Sequence, residues 1–337
     1  MLSQKSAQAL ARLRAYAPPP TQWYNCPLTR RAAVLILLFP DRYGELKVVL
    51  TMRALSLRNY AGQAALPGGK ADSLDETPFT TARREAYEEI GLPTTDAKLP
   101  PGFRVEHLCE LPTNLARTEL GVRPCVAFLC PSSPLAKDDS STSSAAAAAV
   151  EEKMIPRLDP KEVAAVFTAP FPNFLRKEWE GEGEGPMGAE GRRHSWYRGS
   201  WTDWHESRWR MHNFYIPRPP ASSPTQLRQK ASSTKPTSSA SLSSKPEGDV
   251  PRPESTPVTS LDHFRVFGMT ARILVDAARV AYGEEPEFEH NSHHGDEEMI
   301  ERLLRVGRMS EIRKKGEELT NEVLKEAMRV ENERSKI

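Results

Sequence analysis

The sequence predicts an α+β fold, with a sandwich as the alternative arrangement. Three observations lead there: four runs of strand length, the first two rich in Val, Ile and Leu, a carboxylate-rich helix between the second and third of them, and long tracts too poor in bulky apolar residues to pack.

Residues 3–16, SQKSAQALARLRAY, have the spacing of an amphipathic helix, and the triple proline after them stops it. No acid precedes Asp41, whereas Lys5, Arg12, Arg14, Arg30 and Arg31 are basic. That bias resembles a mitochondrial transit peptide and fits equally a first helix packed on the domain. The runs at 33–39 and 47–53 flank the turn-like PDRYGE and read as a hairpin or as neighbouring strands. Further strands are expected at 104–110 and 122–129. Order resumes at 263–282, where Ile273, Leu274, Ala277 and Val280 recur at helical spacing, and a charged helical tail runs from about 296 to 333.

Between these lie SSPLAKDDSSTSSAAAAAVEEK (132–153) and the Ser/Pro-rich 217–260, both expected to be disordered insertions, and a Gly/Glu loop at 180–191. The boundaries follow: 1–28 a first helix and lead-in, 29–131 the core, 132–155 a low-complexity insertion, 156–216 a continuation holding a Trp-rich segment, 217–260 a second insertion, and 261–337 a C-terminal helical region with its tail. One enlarged domain fits better than two, since 29 prolines and these tracts leave much of the 337 residues outside a core. No internal repeat is visible.

Lys and Arg number 46 against 45 Asp and Glu, so no global field draws the chain to nucleic acid or an acidic membrane. Any charge-based function must be local. Cys26, Cys109, Cys125 and Cys130 have no CxxC pairing and read as buried free thiols of a reducing compartment. The longest apolar run, AAVLILLF, is far short of the ~20 residues of a membrane span, so a soluble chain with no membrane insertion is expected.

The chemistry concentrates in 50–92. ETPFTTARREAYEEIG reads as a helix with Pro78 in its first turn and Gly91 at its end. On it Glu89 lies about 40° from Glu85, and Glu88 about 60° from Glu85 on the other side, so three carboxylates share a face. Like charges at these spacings cost a few tenths of a kcal/mol per pair. A hard cation such as Mg²⁺, held by carboxylates, substrate phosphates and water, gives the cluster a purpose. The preceding PGGK lets backbone approach closely, so that a carbonyl of Gly69 joins the site and Lys70 meets a negative substrate. The plainer reading of REAYEE alone is a solvated face with i,i+4 pairs.

These residues resemble the Nudix box, whose usual form is G, five residues, E, seven residues, R-E-U-x-E-E-x-G-U, with U a bulky aliphatic. Glu76, Arg84, Glu85, Glu88, Glu89, Gly91 and Leu92 match, over 69–92. Gly69 stands six residues before Glu76 rather than five, which leaves Asp75 at the regular distance, and Ala86 fills the first U position. Just upstream, LTMRALSLRNYAGQAALPGG is similar to the signature of the coenzyme A diphosphatase branch, L-L-T-x-R-[SA]-x3-R-x3-G-x3-F-P-G-G. Leu50, Thr51, Arg53, Ala54, Arg58, Gly62, Pro67, Gly68 and Gly69 fall in register, and Leu66 replaces Phe. FRVFGMTARIL (264–274) adds a weaker likeness to the branch's W-G-x-T-A segment, with Phe267 in the tryptophan's place.

The resemblance implies the Nudix fold, a mixed β-sheet sandwiched between helices, and hydrolysis of the diphosphate of coenzyme A and acyl-CoA, with Mg²⁺ or Mn²⁺ as cofactor. Glu85 and Glu89 become the principal metal ligands and Glu88 a third ligand or a base for water. Arg84 orients a carboxylate, and Glu76 is an outer ligand. Arg53 and Arg58, as guanidinium forks suited to phosphate, are candidates for the diphosphate or the 3′-phosphate. Glu162 in DPKEVAAVF is a candidate for a later-loop acid.

EHNSHHGDEE (289–298) invites a transition-metal site but has no thiolates or regular ligand spacing. The Trp-rich run WYRGSWTDWHESRWRMHNFY (196–215) is read either as the cap of a core edge or as a surface that stacks an adenine or lines an acyl pocket. The terminal Ser335, Lys336 and Ile337 resemble the peroxisomal address Ser-Lys-Leu, which an import receptor would read. Peroxisome is thus the expected compartment and mitochondrion the alternative. The rival functions are hydrolysis of another nucleoside diphosphate, such as ADP-ribose or NADH, and a non-catalytic Nudix binder.

Overall fold

The computed structural model describes residues 2–56, 61–131, 163–180, 196–204, 207–218 and 263–311, with single helical positions at 322, 325 and 329. The insertion expected at 132–155, that at 217–260 from residue 219 onward, nearly all of the Gly/Glu loop, most of the charged tail, Arg58, Glu162 and Ser335, Lys336 and Ile337 lie outside the described residues, while Pro217 ends a strand.

The longest apolar run becomes β1 (Arg31–Pro40), the strand around which the main sheet is organised. Its residues 31–38 pair in parallel with β7 (Gly121–Pro131). Along its other edge it is shared: residues 38–40 pair with β2 (Leu46–Arg53), and residues 32–34 with the short β4 (Gly68–Lys70). Between these partners the Leu35 N–H donates to Pro67 O at 2.8 Å. β3 (Ala64–Ala65) and β8 (Val163–Pro170) pair with β2, while β5 (Phe103–Glu110) and β6 (Asn114–Leu115) pair with β7. The PDRYGE break thus closes an antiparallel hairpin.

Both faces of β1 are covered, which explains a continuous apolar run in place of alternation. Ala33, Leu35, Leu37 and Phe39 share a core with Ala82, Ala86 and Ile90 of α2 (Pro78–Ile90). Ile36 and Leu38 face the opposite way, into a core with Leu10 and Leu13 of α1 (Gln4–Ala15) and Leu274 and Ala277 of α3 (Gly268–Tyr282). The result is an α+β fold with a mixed sheet between helices.

The helical pattern at 263–282 divides in the structure. Its first five residues form β11 (His263–Phe267), in which Phe264 and Val266 alternate inward, and Gly268 at φ +63° turns the chain into α3. β11 joins the Trp-rich run, which folds as the hairpin β9 (Tyr197–Trp204) and β10 (Ser207–Pro217), in a second sheet of order β11-β10-β9. Tyr197, Phe214 and Ile216 enter the large core, so half of that run is structural. The tail's described helix, α4 (Glu297–Arg305), stops two residues before Gly307 at φ +71°, and Ile300 and Leu303 seat it against Cys26 and Leu115. All four cysteines are free and buried, and burial pushes the Cys26 thiol up to about 11 and that of Cys109 to about 12. Among the described residues no helix is long and apolar enough to cross a membrane.

His212 on β10 is buried against Tyr197, whose hydroxyl meets Nδ1 at 3.0 Å. Burial, followed by the charge of Arg210, pushes its pKa down to about 3. The folded state therefore stays neutral where the unfolded chain takes a proton, so stability falls as pH drops below the ordinary histidine value near 6.5. Between pH 7 and pH 5 this one group is expected to remove about 2 kcal/mol. Urea unfolding at the two pH values should show His212→Gln losing less stability than the wild type by that amount.

Candidate active site

α2 begins where the Thr77 hydroxyl accepts the Thr80 N–H at 3.1 Å, with Pro78 in the first turn, and ends at Gly91 in the left-handed region at φ +71°. Its small Ala82 and Ala86 lie fully buried on β1 and let the helix approach closely. That contact explains why alanine stands where the box usually has a bulky aliphatic residue.

The same packing sets Glu85 and Glu89, one turn apart, against β4. The Gly68 N–H donates to Glu89 Oε2 at 3.2 Å. A Cβ on Gly68, whose φ is +155°, would stand 2.3 Å from the Ala33 carbonyl oxygen; a Cβ on Gly69 would stand 2.4 Å from the Glu85 carboxylate. Each glycine is thus required, one by the sheet and one by the helix. Glu89 is 5% exposed along its side chain, and Arg53 Nη1 stands 3.9 Å from its Oε1. A carboxylate this buried is costly unless hydrogen bonds and opposite charge compensate it.

Arg84 is the hub. Its Nε bonds Glu76 Oε1 at 2.9 Å, its Nη1 reaches Glu85 at 3.1 Å and Glu88 at 3.3 Å, and its Nη2 donates to the Lys70 carbonyl at 2.7 Å. Glu76 Oε2 in turn accepts from the Asp72 N–H at 3.0 Å and the Thr81 hydroxyl at 2.9 Å. Burial would raise the Glu76 carboxyl, but the Arg84, Asp72 and Thr81 bonds outweigh it and hold the group below the usual glutamate value. The Glu76 bond, in spite of burial, raises the Arg84 guanidinium.

The structure therefore brings Glu85, Glu89, Gly69 and Arg84 together, with Arg53 at the edge. Glu88 sits apart, half exposed on the outer side of Arg84. Lys70 enters through its backbone carbonyl, while its side chain is exposed. The supporting roles of Asp72, Thr81 and the Arg53–Glu89 approach leave no periodic mark in the sequence; only the outlying register of Glu76 could have flagged the first two. Glu76, not Asp75, makes the contacts, and Asp75 is exposed.

Among the described residues, no group of three His, Cys, Asp or Glu side chains is positioned to hold a metal ion as it stands. In the histidine loop, His290 Nε2 pairs with Glu285 at 2.6 Å, and burial pushes His294 down to about 4. The Glu85 carboxylate lies against Gly69, close enough that a Cβ there would collide with it, and the Glu89 carboxylate lies on the Gly68 N–H, so the donors offered are hard oxygens. These residues fit Mg²⁺ or Mn²⁺. Glu88 would join only by leaving Arg84.

A helix bearing REAYEEIGL is set against a glycine turn on a mixed sheet between helices. Residues 29–182 match the model of the NUDIX domain. It is 37% identical over 179 residues to peroxisomal coenzyme A diphosphatase 1 of Saccharomyces cerevisiae, covering 52% of each chain. Against the mitochondrial Nudix hydrolase 15 of Arabidopsis thaliana it is 37% identical over 161 residues, 45% of this chain and 47% of that one. A Nudix hydrolase of Yersinia pestis is 47% identical over 72 residues, 21% of this chain and 35% of that one. The chain spans about half the length of the first two relatives.

If Glu76 anchors Arg84, Glu76→Ala is expected to cost about 1–3 kcal/mol in urea unfolding, the range for hydrogen bonds to charged groups. Asp75→Ala should stay within about 0.5 kcal/mol of wild type. Equal effects would remove the special standing of Glu76.

Proposed function

We propose that this protein hydrolyses the diphosphate of coenzyme A and its thioesters, giving 3′,5′-ADP and 4′-phosphopantetheine or its acyl form, with Mg²⁺ or Mn²⁺ as cofactor. One observation carries the reading: buried Glu89 and half-buried Glu85 stand against Gly68 and Gly69 at the end of a segment similar to the coenzyme A diphosphatase signature. The name of the yeast relative supports the same substrate class.

When bound, the ion neutralises charge developing on the diphosphate oxygens and makes a coordinated water more acidic. Glu85 and Glu89, with the Gly69 carbonyl, are the residues that would hold it. Arg84 fixes the Glu85 carboxylate and holds Glu88 at the solvent edge, where Glu88 is available to take the proton of the attacking water. Arg53, beside Glu89 at the end of β2, offers a guanidinium to the diphosphate, and Arg58, five residues further along the sequence, is a second candidate. Lys70, exposed next to the glycine pair, adds positive charge where an anionic substrate arrives.

The test is product analysis by mass spectrometry on purified protein with Mg²⁺ or Mn²⁺ and coenzyme A, acetyl-CoA, ADP-ribose or NADH. The reading expects 3′,5′-ADP from the first two. It also expects a loss of about 10²-fold or more in Glu89→Gln and Gly69→Ala. Faster cleavage of ADP-ribose or NADH would move the protein to another branch; a folded wild type inert on all four would leave it a binder.

The reading also places the protein in the peroxisome, through recognition of Ser335, Lys336 and Ile337 by an import receptor, with the basic N-terminus favouring mitochondria as the alternative. A fluorescent protein fused upstream of the full chain should colocalise with a peroxisomal marker and become diffuse when these three residues are removed. Mitochondrial signal in both forms would overturn the assignment.

A further inference from the structure

The second sheet has an outer face that the Nudix helix does not use. Alternation sends Tyr197, Phe214, Ile216, Phe264 and Val266 into the core. The intervening positions carry Arg198 opposite Asn213, Asn213 opposite Phe267, and Tyr215 opposite Arg265, with His263 one pair further along. Arg265 lies 4.4 Å from the Phe267 ring centroid and donates two hydrogen bonds, of 3.0 and 2.6 Å, to Asn213 Oδ1. Arg198 lies 5.7 Å from the Tyr215 ring, which the His263 ring meets edge-on at 5.0 Å. Both arginines are exposed, these six positions include no acid, and among the described residues neither arginine forms an ion pair.

Elsewhere the described arginines are commonly set against carboxylates, as Arg84, Arg123, Arg176 and Arg272 are. Two exposed guanidiniums with no counter-charge among the described residues, each on an aromatic ring and one pinned by a buried asparagine, present donors and π-faces together. Their strands are separated by two strand spacings, about 10 Å. That arrangement suits a ligand with one aromatic base and two phosphate groups, since guanidinium forks match phosphate oxygens and rings stack on bases. A polynucleotide would need a longer basic track, and the chain's net charge of +1 offers no field to recruit one.

The second sheet is also joined to the sheet that carries the site. β11 lies against β3. Thr270, three residues past Phe267, donates to the Ala64 carbonyl at 3.4 Å, and Ala64 leads within four residues to Gly68. Met269 packs against the cluster of Ala32, Ala116 and Val122, and Ala32 is the β1 residue paired with Lys70.

We infer that this face binds the adenosine 3′,5′-bisphosphate half of the substrate. The inference rests on the coenzyme A reading above for the ligand's identity.

The experiment is calorimetric titration of the full chain with 3′,5′-ADP, alongside steady-state kinetics on coenzyme A, for wild type, Arg198→Gln and Arg265→Gln. Arg198→Gln removes no hydrogen bond seen among the described residues, so it separates ligand loss from misfolding. Each variant is expected to bind 3′,5′-ADP at least tenfold more weakly and to raise KM by a similar factor, with kcat within twofold of wild type. AMP, which lacks the second phosphate, should bind wild type more weakly than 3′,5′-ADP. Unchanged Kd and KM in both variants while wild type cleaves coenzyme A overturns the platform and leaves the proposed function standing. Arginine-dependent binding of 3′,5′-ADP by a wild type that does not cleave coenzyme A does the reverse. A wild type that does not bind 3′,5′-ADP, or an oligo(dA) that binds more tightly through the same arginines, also overturns the inference.

Discussion

The close approach of the Gly68-Gly69 backbone to the carboxylates of α2 is the constraint on which the rest depends. It needs three bodies in register: β1 at the centre of the sheet, β4 on its edge, and a helix drawn down onto β1 by alanines. A side chain at either glycine would collide within 2.5 Å, with the Ala33 carbonyl on one side or with Glu85 on the other. The sheet's shared edge follows from the same requirement. β2 leaves β1 after three paired residues, and β4 takes up the start of that edge, bringing Glu89 and Arg53 together from different elements.

Electrostatics then decides which carboxylate does what. Four glutamates and one aspartate surround Arg84 or lie beside it, an arrangement that repels itself unless each anion has a partner. Glu76 is satisfied by Arg84, a backbone N–H and a hydroxyl. Glu88 remains half in water, where an exposed ion pair contributes little. Glu85 and Glu89 are, with Glu76, the least exposed of the group, and both stand against the glycines of β4. That placement is the physical reason to propose a cation at Glu85 and Glu89 and to leave Glu88 at the edge.

Much of this was legible in the residues. The runs that form β1, β2 and β7 are visible because each is long and mostly apolar, β5 shows as a shorter mixed run, and Pro78 and Gly91 mark the ends of α2. The short β3, β4 and β6 were not, since two or three residues hold no period. β11 was read as helix because FRVF adjoins a true helical pattern and only Gly268 separates them. At the site, the spacing pointed to Glu85, Glu88 and Glu89 as equals. Distance along the chain does not report that Arg84 holds Glu88 on its outer side, nor that Glu76 and not Asp75 reaches the arginine.

The central claim is that Glu85 and Glu89, against Gly69, form the seat of a hard divalent ion. Anomalous diffraction from crystals soaked in Mn²⁺ tests it most directly. The account predicts a peak about 2.1 Å from a carboxylate oxygen of Glu85 and of Glu89, within reach of the Gly69 carbonyl, that is lost in Glu89→Gln crystals. A well-occupied peak elsewhere, for instance among His290, His293 and His294, with none beside Gly69, would contradict it.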